Sequence, residues 1–217
     1  MDIKTLNVTG YRQHPVPNTF LLQPDISVHL GIILPGYRHS ADKADLEYAG
    51  RLLMDRGADL LRVEYAYFRT EYMIQPDAVQ EEWLRTDALA VCGAALSQRA
   101  YKNITLVGKS LGTLAMSCLL ADSRFRKADC IWSTPILEYP RLQSQIERVR
   151  PRSLFIIGTA DSHYQPDVLR RLVEVTGGSS LVLDGVDHSL GIPGDIPGSL
   201  AALNRIVEAY QAFLKAA

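Results

Sequence analysis

At 217 residues and 47% hydrophobic content, the chain is long and apolar enough for a packed core, which excludes a disordered protein. Its formal net charge of −1 supplies no global field for nucleic acid or an anionic membrane surface, so any charge selectivity must be local. One domain spanning residues 1–217 is the simplest expectation. Cys92, Cys118 and Cys130 are odd in number, widely spaced and set among apolar residues, which implies core thiols in a reducing, cytoplasmic setting and no disulfide framework. No Cys/His spacing suggests zinc or another metal, and nothing implies a cofactor. Asp2 and Lys4 lead into no apolar run, so a signal peptide is not expected, and the Val28 to Leu34 stretch is too short to span a bilayer.

Short strands are expected at Ile3 to Tyr11 and Phe20 to Gln23, followed by a buried strand from Val28 to Leu34 that Pro35-Gly36 ends. Residues 42–56 read as a helix stopped by Gly57, and Asp59 to Phe68 as a core strand. Asp77 is placed to cap a long helix whose inner face carries Leu84, Ala88, Val91 and Ala95. The Ile104 strand and the Leu111 to Ala121 helix come next, then strands at Ala128 to Trp132 and Ser153 to Ile157. Pro166 to Val175 is a helix stopped by Gly177-Gly178, and Leu181 to Leu183 is the last strand. A final helix from Pro197 should turn Leu200, Leu203, Val207, Tyr210 and Leu214 inward. This strand–helix succession with short connections implies an α/β fold, a mainly parallel twisted sheet covered by helices on both faces. Ligands on such sheets bind beyond the carboxyl ends of the strands, so the turns at Pro35, Gly108, Gly158 and Gly185 are the ones to read for chemistry.

The most informative turn is Gly108-Lys109-Ser110-Leu111-Gly112, where a β-branched run meets a helical pattern. There Ser110 would sit at a strained apex with its hydroxyl exposed, flanked by glycines because a Cβ would collide with the neighbouring strand and helix. A phosphate-binding loop also ends Gly-Lys-Ser, but it requires glycine where this chain has Asn103. A serine hydroxyl needs a base, and the base needs a group fixing its tautomer. Asp161 follows the Phe155-Ile156-Ile157 strand and His188 follows the last one, in the order Ser, Asp, His. Asp184 and Asp187 compete for the role of the acid and His163 for that of the base, while His14, His29 and His39 read as structural or surface groups, with His39 also placed to border the pocket.

From about Val28 onward the chain resembles the α/β-hydrolase superfamily, on the elbow at Ser110, the Gly-x-x-Asp at Gly158 to Asp161 and the Asp-His-Ser at Asp187 to Ser189. Its size is similar to that of the small lidless esterases of the dienelactone-hydrolase-like group, which commonly carry cysteine where this chain has Ser110. The resemblance implies a serine esterase acting on a carboxylic ester or thioester of a small molecule through Ser110, His188 and Asp161, with no metal and no cofactor. It also implies an oxyanion hole built from the N–H groups of Leu111 and of Tyr37, the latter in the Pro35-Gly36-Tyr37 turn. A non-catalytic binding or scaffold protein of the same fold stays open as the alternative.

Between Thr134 and Arg150 there is room for little more than a loop and one helix, so an open site without a lid is expected. Tyr37, Tyr67, Trp132, Tyr164 and Leu190 fall on the right loops to wall it, with Arg38 at its edge. Arg38, Lys109 and His163 could make its mouth locally positive, although Lys109 is also placed to turn away toward neighbouring strands.

Overall fold

The computed structural model describes residues 2–215. One sheet of eight strands runs in the order β1-β2-β4-β3-β5-β6-β7-β8, where β1 is Asp2–Lys4, β2 Asn18–Leu22, β3 His29–Leu34 and β4 Asp59–Val63. The remaining strands are β5 (Asn103–Lys109), β6 (Asp129–Ser133), β7 (Ser153–Gly158) and β8 (Ser179–Leu183). The β1–β2 and β2–β4 pairs are antiparallel and all later pairs are parallel. The helices are α1 (Ala44–Met54), α2 (Asp77–Leu96), α3 (Leu111–Leu120), α4 (Pro140–Val149), α5 (Pro166–Thr176) and α6 (Ile196–Lys215).

Side-chain alternation along the central strands divides the apolar residues between two cores. Leu61, Ile32, Leu106 and Phe155 belong to the core beneath α2 to α5, and their neighbours Leu60, Ile33, Val107 and Ile156 to the core beneath α1 and α6. Continuous burial of Leu30 to Leu34 and of Thr105 to Lys109 follows, because a central parallel strand is covered on both sides. Among the described residues no helix is long and apolar enough to cross a membrane, and the three cysteines are unpaired.

Four details differ from the sequence expectations. Pairing stops at Lys4 rather than continuing to Tyr11, because the Asn18 side chain engages both the N–H and the carbonyl of Leu6 at 2.9 Å. Strand β4 ends at Val63, opposite Asn18; the next partner position is Pro17, which has no N–H to donate, and two 3-10 turns follow at Tyr67–Arg69 and Tyr72–Ile74. Pro76, not Asp77, occupies the N-cap of α2, so Asp77 acts through the helix dipole in the first turn. Helix α6 starts one residue before Pro197 and buries Ala202, Ile206, Tyr210, Phe213 and Leu214, leaving Leu200 exposed.

Candidate active site

Strand β5 ends at Lys109 and α3 begins at Leu111, so Ser110 alone makes the turn between them. It does so at φ 50°, ψ −117°, a region that a residue with a side chain seldom occupies. The Ser110 N–H donates to the Ser133 carbonyl on β6 at 3.0 Å, and the Thr113 N–H and hydroxyl donate back to the Ser110 carbonyl at 2.8 and 2.6 Å. A Cβ on Gly112 would overlap the Leu34 carbonyl oxygen, and one on Gly36 would stand 3.1 Å from the Ser110 Cβ. These two glycines therefore set how closely the turns after β3 and β5 approach. Arg38, Thr134 and Leu190 also have positive φ, so the strained backbone gathers along the rim formed by the turns after β3, β5, β6 and β8.

Three predicted side chains meet at that rim. His188 Nε2 lies 2.9 Å from Ser110 Oγ, and His188 Nδ1 lies 2.9 Å from Asp161 Oδ2. An ionised carboxylate only accepts, so Nδ1 carries the proton and Nε2 presents a lone pair to the serine hydroxyl. Asp161 is 4% exposed. Burial pushes its carboxyl up, but hydrogen bonds from His188 and from the His163 N–H (2.9 Å) outweigh that and hold it below the ordinary value.

The competing residues have other duties. Asp187 Oδ1 accepts the N–H groups of Ser189 and Gly191 and so shapes the loop that carries His188. Asp184 accepts the Thr159 hydroxyl at 3.1 Å. His163 Nδ1 sits 2.5 Å from Glu138 Oε1, and its ring meets that of His188 edge-on at 4.9 Å, so it borders the arrangement without reaching the hydroxyl's partner position.

Lys109 does not reach solvent at the mouth but is buried beneath the rim, against the turns after β6 and β8. It is 3% exposed, and its Nζ donates to Thr134 Oγ1 at 3.2 Å and to the His188 carbonyl at 3.0 Å. Asp45 Oδ2 lies 3.9 Å from the ammonium and has no hydrogen-bond partner of its own, while Asp45 Oδ1 is 3.2 Å from His39 Nε2. Burial lowers the Lys109 pKa, with Asp45, Asp161 and Asp187 opposing the shift. The residue before the serine thus tethers the histidine's backbone. Sequence inspection missed the Asp45 and His39 partners; the one available signal was a lysine ending an otherwise buried strand.

Leu111 is the first residue of α3, so its N–H lacks an intrahelical acceptor, and Tyr37 follows the glycine that touches the serine turn. Both residues expected to form the oxyanion hole therefore flank Ser110.

The expected pocket walls are largely corrected. Trp132 is fully buried, with its indole N–H donated to Ser153 Oγ at 3.1 Å, because β6 lies between β5 and β7 and both its faces are covered. Leu190 is buried in the core beneath α1 and α6, and Tyr67 is buried with its hydroxyl donated to Asp87. Tyr37 and Tyr164 are half-buried against the other core, and the exposed Arg38 stacks 5.5 Å over the Tyr37 ring. With Lys109 buried and His163 paired with Glu138, Arg38 is left as the one free cation among the three expected at the mouth. A cleft of about 420 Å³ runs instead between α2, α3 and α4, with Leu111 among its lining residues.

Asp161, His163 and His188 offer ligand atoms within 4.8 Å of one another, a convergence that sequence spacing did not reveal. Both nitrogens of His188 are engaged by Ser110 and Asp161, so a metal held there would break the serine–histidine contact.

The eight-stranded sheet, in which β2 alone runs against the other strands, together with its six helices is that of the α/β-hydrolase fold. No family model and no curated protein sequence matches the chain. Solved structures do. A protein of unknown function from Agrobacterium tumefaciens, described as a putative α/β-hydrolase, superposes with a TM-score of 0.74 at 16% identity, over 99% of this chain and 95% of that one. An α/β serine hydrolase without a lid from Xanthomonas campestris gives 0.67 at 17% identity, covering 99% and 94%. An esterase from Pyrococcus furiosus gives 0.71 at 13% identity, covering 99% and 92%.

Proposed function

We propose that the protein is a serine hydrolase that cleaves a carboxylic ester or thioester of a small molecule through an acyl-enzyme. The observation that carries this reading is the pair of 2.9 Å contacts that link Ser110, His188 and Asp161 in one line. In the first step His188 Nε2 takes the hydroxyl proton as Ser110 Oγ bonds to the acyl carbon, and the carbonyl oxygen becomes an oxyanion held by the Leu111 and Tyr37 N–H groups. Collapse of that intermediate breaks the bond to the leaving group, which receives the proton from His188. Water then repeats the sequence on the acyl-serine, returning the carboxylic acid and free Ser110. Asp161 stays ionised throughout and stabilises the imidazolium; its lowered pKa suits that task.

A single helix, α4, separates β6 from β7, which leaves the serine rim uncovered to water and favours hydrolysis over transfer to another acceptor. The three unpaired thiols fit a reducing compartment, consistent with a cytoplasmic enzyme. Hydrolysis of p-nitrophenyl acetate tests the reading. Ser110→Ala should lower kcat by on the order of a millionfold while the protein stays folded. Turnover retained in pure Ser110→Ala protein would refute the assignment, and absence of turnover in the wild type on any ester would favour a scaffold role.

A further inference from the structure

The cleft along α3 has a form that the serine chemistry alone does not require. Leu111, Leu114, Cys118 and Ala121 lie three or four residues apart, so they make one stripe along the helix, about 15 Å from end to end. Leu84 on α2 and Tyr139 before α4 face the stripe from either side. The charged lining residues come in both signs, Asp77 and Glu81 with Arg85 and Arg141. Glu81 accepts the Tyr139 hydroxyl at 3.1 Å and pairs with Arg141, which ties α2 to α4 across the cleft. Tyr72, which also lines the cleft, belongs to a segment whose Phe68, Met73 and Ile74 are exposed, an unusual concentration of apolar side chains in solvent.

We infer that this cleft takes the acyl chain of the substrate, a linear saturated chain of roughly eight to twelve carbons, since ~1.5 Å bonds in a zigzag advance about 1.3 Å per carbon. The inference rests on the serine-hydrolase reading above and names its substrate class. Leu111 makes the connection. It follows Ser110 directly and also lines the cleft, which Ser110 and His188 do not, so an acyl chain carried on Ser110 reaches the stripe only by passing Leu111. An elongate apolar stripe suits a flexible chain better than a flat ring system. The volume of about 420 Å³ lies in the range of small-molecule sites. Each methylene buried there should raise kcat/KM about fourfold until the cleft is full.

Two measurements test this. The first compares p-nitrophenyl esters from acetate to hexadecanoate on the wild type, Ala121→Trp and Ser144→Trp, the last two narrowing the cleft from α3 and α4. The wild type should favour decanoate over acetate by at least a hundredfold, and each tryptophan should cut that ratio at least tenfold. A flat profile, a preference for a cinnamate ester over decanoate, or an unchanged ratio in both variants would overturn the inference. The second uses Cys118 as a native reporter, since it is partly exposed in the cleft while Cys92 and Cys130 are buried. Burial pushes its thiol up to about 11, so alkylation by N-ethylmaleimide is slow enough to follow by mass spectrometry. In Ser110→Ala protein, p-nitrophenyl decanoate should slow Cys118 alkylation at least fivefold and p-nitrophenyl acetate should not. Equal rates with both esters would overturn the cleft assignment. Protection by decanoate in a protein that hydrolyses no ester would overturn the hydrolase reading while upholding the cleft as a chain-binding site.

Discussion

Two of the buried carboxylates in this molecule, Asp87 and Asp161, lie under nearly the same conditions, and only the second belongs to the candidate site. Asp87 on α2 is 5% exposed and accepts the Tyr11 N–H at 2.7 Å and the Tyr67 hydroxyl at 2.9 Å. Asp161 is 4% exposed and accepts the His163 N–H and His188 Nδ1, both at 2.9 Å. Their pKa values nonetheless move in opposite directions. Burial raises Asp87 despite its hydrogen bonds, whereas the donors around Asp161 overcome burial and lower it. The difference lies in what faces each acid. Asp87 looks into stacked rings, with Tyr67 4.2 Å from Tyr72 and 4.9 Å from Tyr65; His14 lies near it but stacks on Trp83, and no ring hydrogen-bonded to Asp87 can gain positive charge. Asp161 looks at an imidazole that can. Burial and hydrogen-bond count do not separate the two acids; a hydrogen-bonded, chargeable partner beside a strained turn does.

The sharpest way to break this comparison is to neutralise each acid. Asp161→Asn should lower ester turnover about ten-thousandfold, because the amide no longer selects the Nδ1–H tautomer. Asp87→Asn should leave kcat within a few-fold and act on stability alone. Comparable losses of turnover in both variants would erase the distinction.

A smaller effect is expected at Lys109, which ties the Asp161 side of the comparison to the backbone of His188. Lys109→Met should reduce kcat about a hundredfold through displacement of the base. It should also cost about 3–5 kcal/mol of stability, because Asp45 is left buried without its counter-charge. Adding Asp45→Asn should recover most of the stability without recovering kcat, since the His188 carbonyl still lacks its donor. Recovery of both together would make Lys109 a structural residue only.

The subtlest contrast is in the sign of pH dependence, read by urea unfolding of the wild type and the two Asn variants. Asp161 is depressed, so its stabilisation is complete above the ordinary value of 3.8 and is lost as pH falls through its lower folded value. Asp87 is raised, so its charge costs stability at neutral pH, and the cost is relieved as pH falls through its folded value above 3.8. The advantage of wild type over Asp87→Asn should therefore grow on acidification from pH 7, while its advantage over Asp161→Asn should shrink at and below pH 3.8. Parallel curves would contradict the assigned directions.

The convergence of the three candidate side chains was legible in the sequence because strand ends announce themselves. Apolar runs stopped by glycine put Ser110, Asp161 and His188 on one rim, and the parallel sheet followed from the same alternation. The pocket was not legible. Trp132 lies inside β6, covered on both faces, and Leu190 turns into the core at positive φ, which nothing in its identity reveals. The cleft was hidden for a different reason: it forms where three helices diverge, and helix spacing is not encoded in the period of any one of them. Nor could the end of β4 be read, since it is set by Pro17 on a neighbouring strand.

The central claim is that Ser110 is activated by the line of contacts to His188 and Asp161. A fluorophosphonate that bonds only to activated serines tests it directly, with peptide mass spectrometry to locate the adduct. The account predicts one adduct, on Ser110, lost in Ser110→Ala and formed at least a hundredfold more slowly in His188→Ala. Folded wild-type protein that stays unlabelled, or that carries the adduct on another serine, would contradict it.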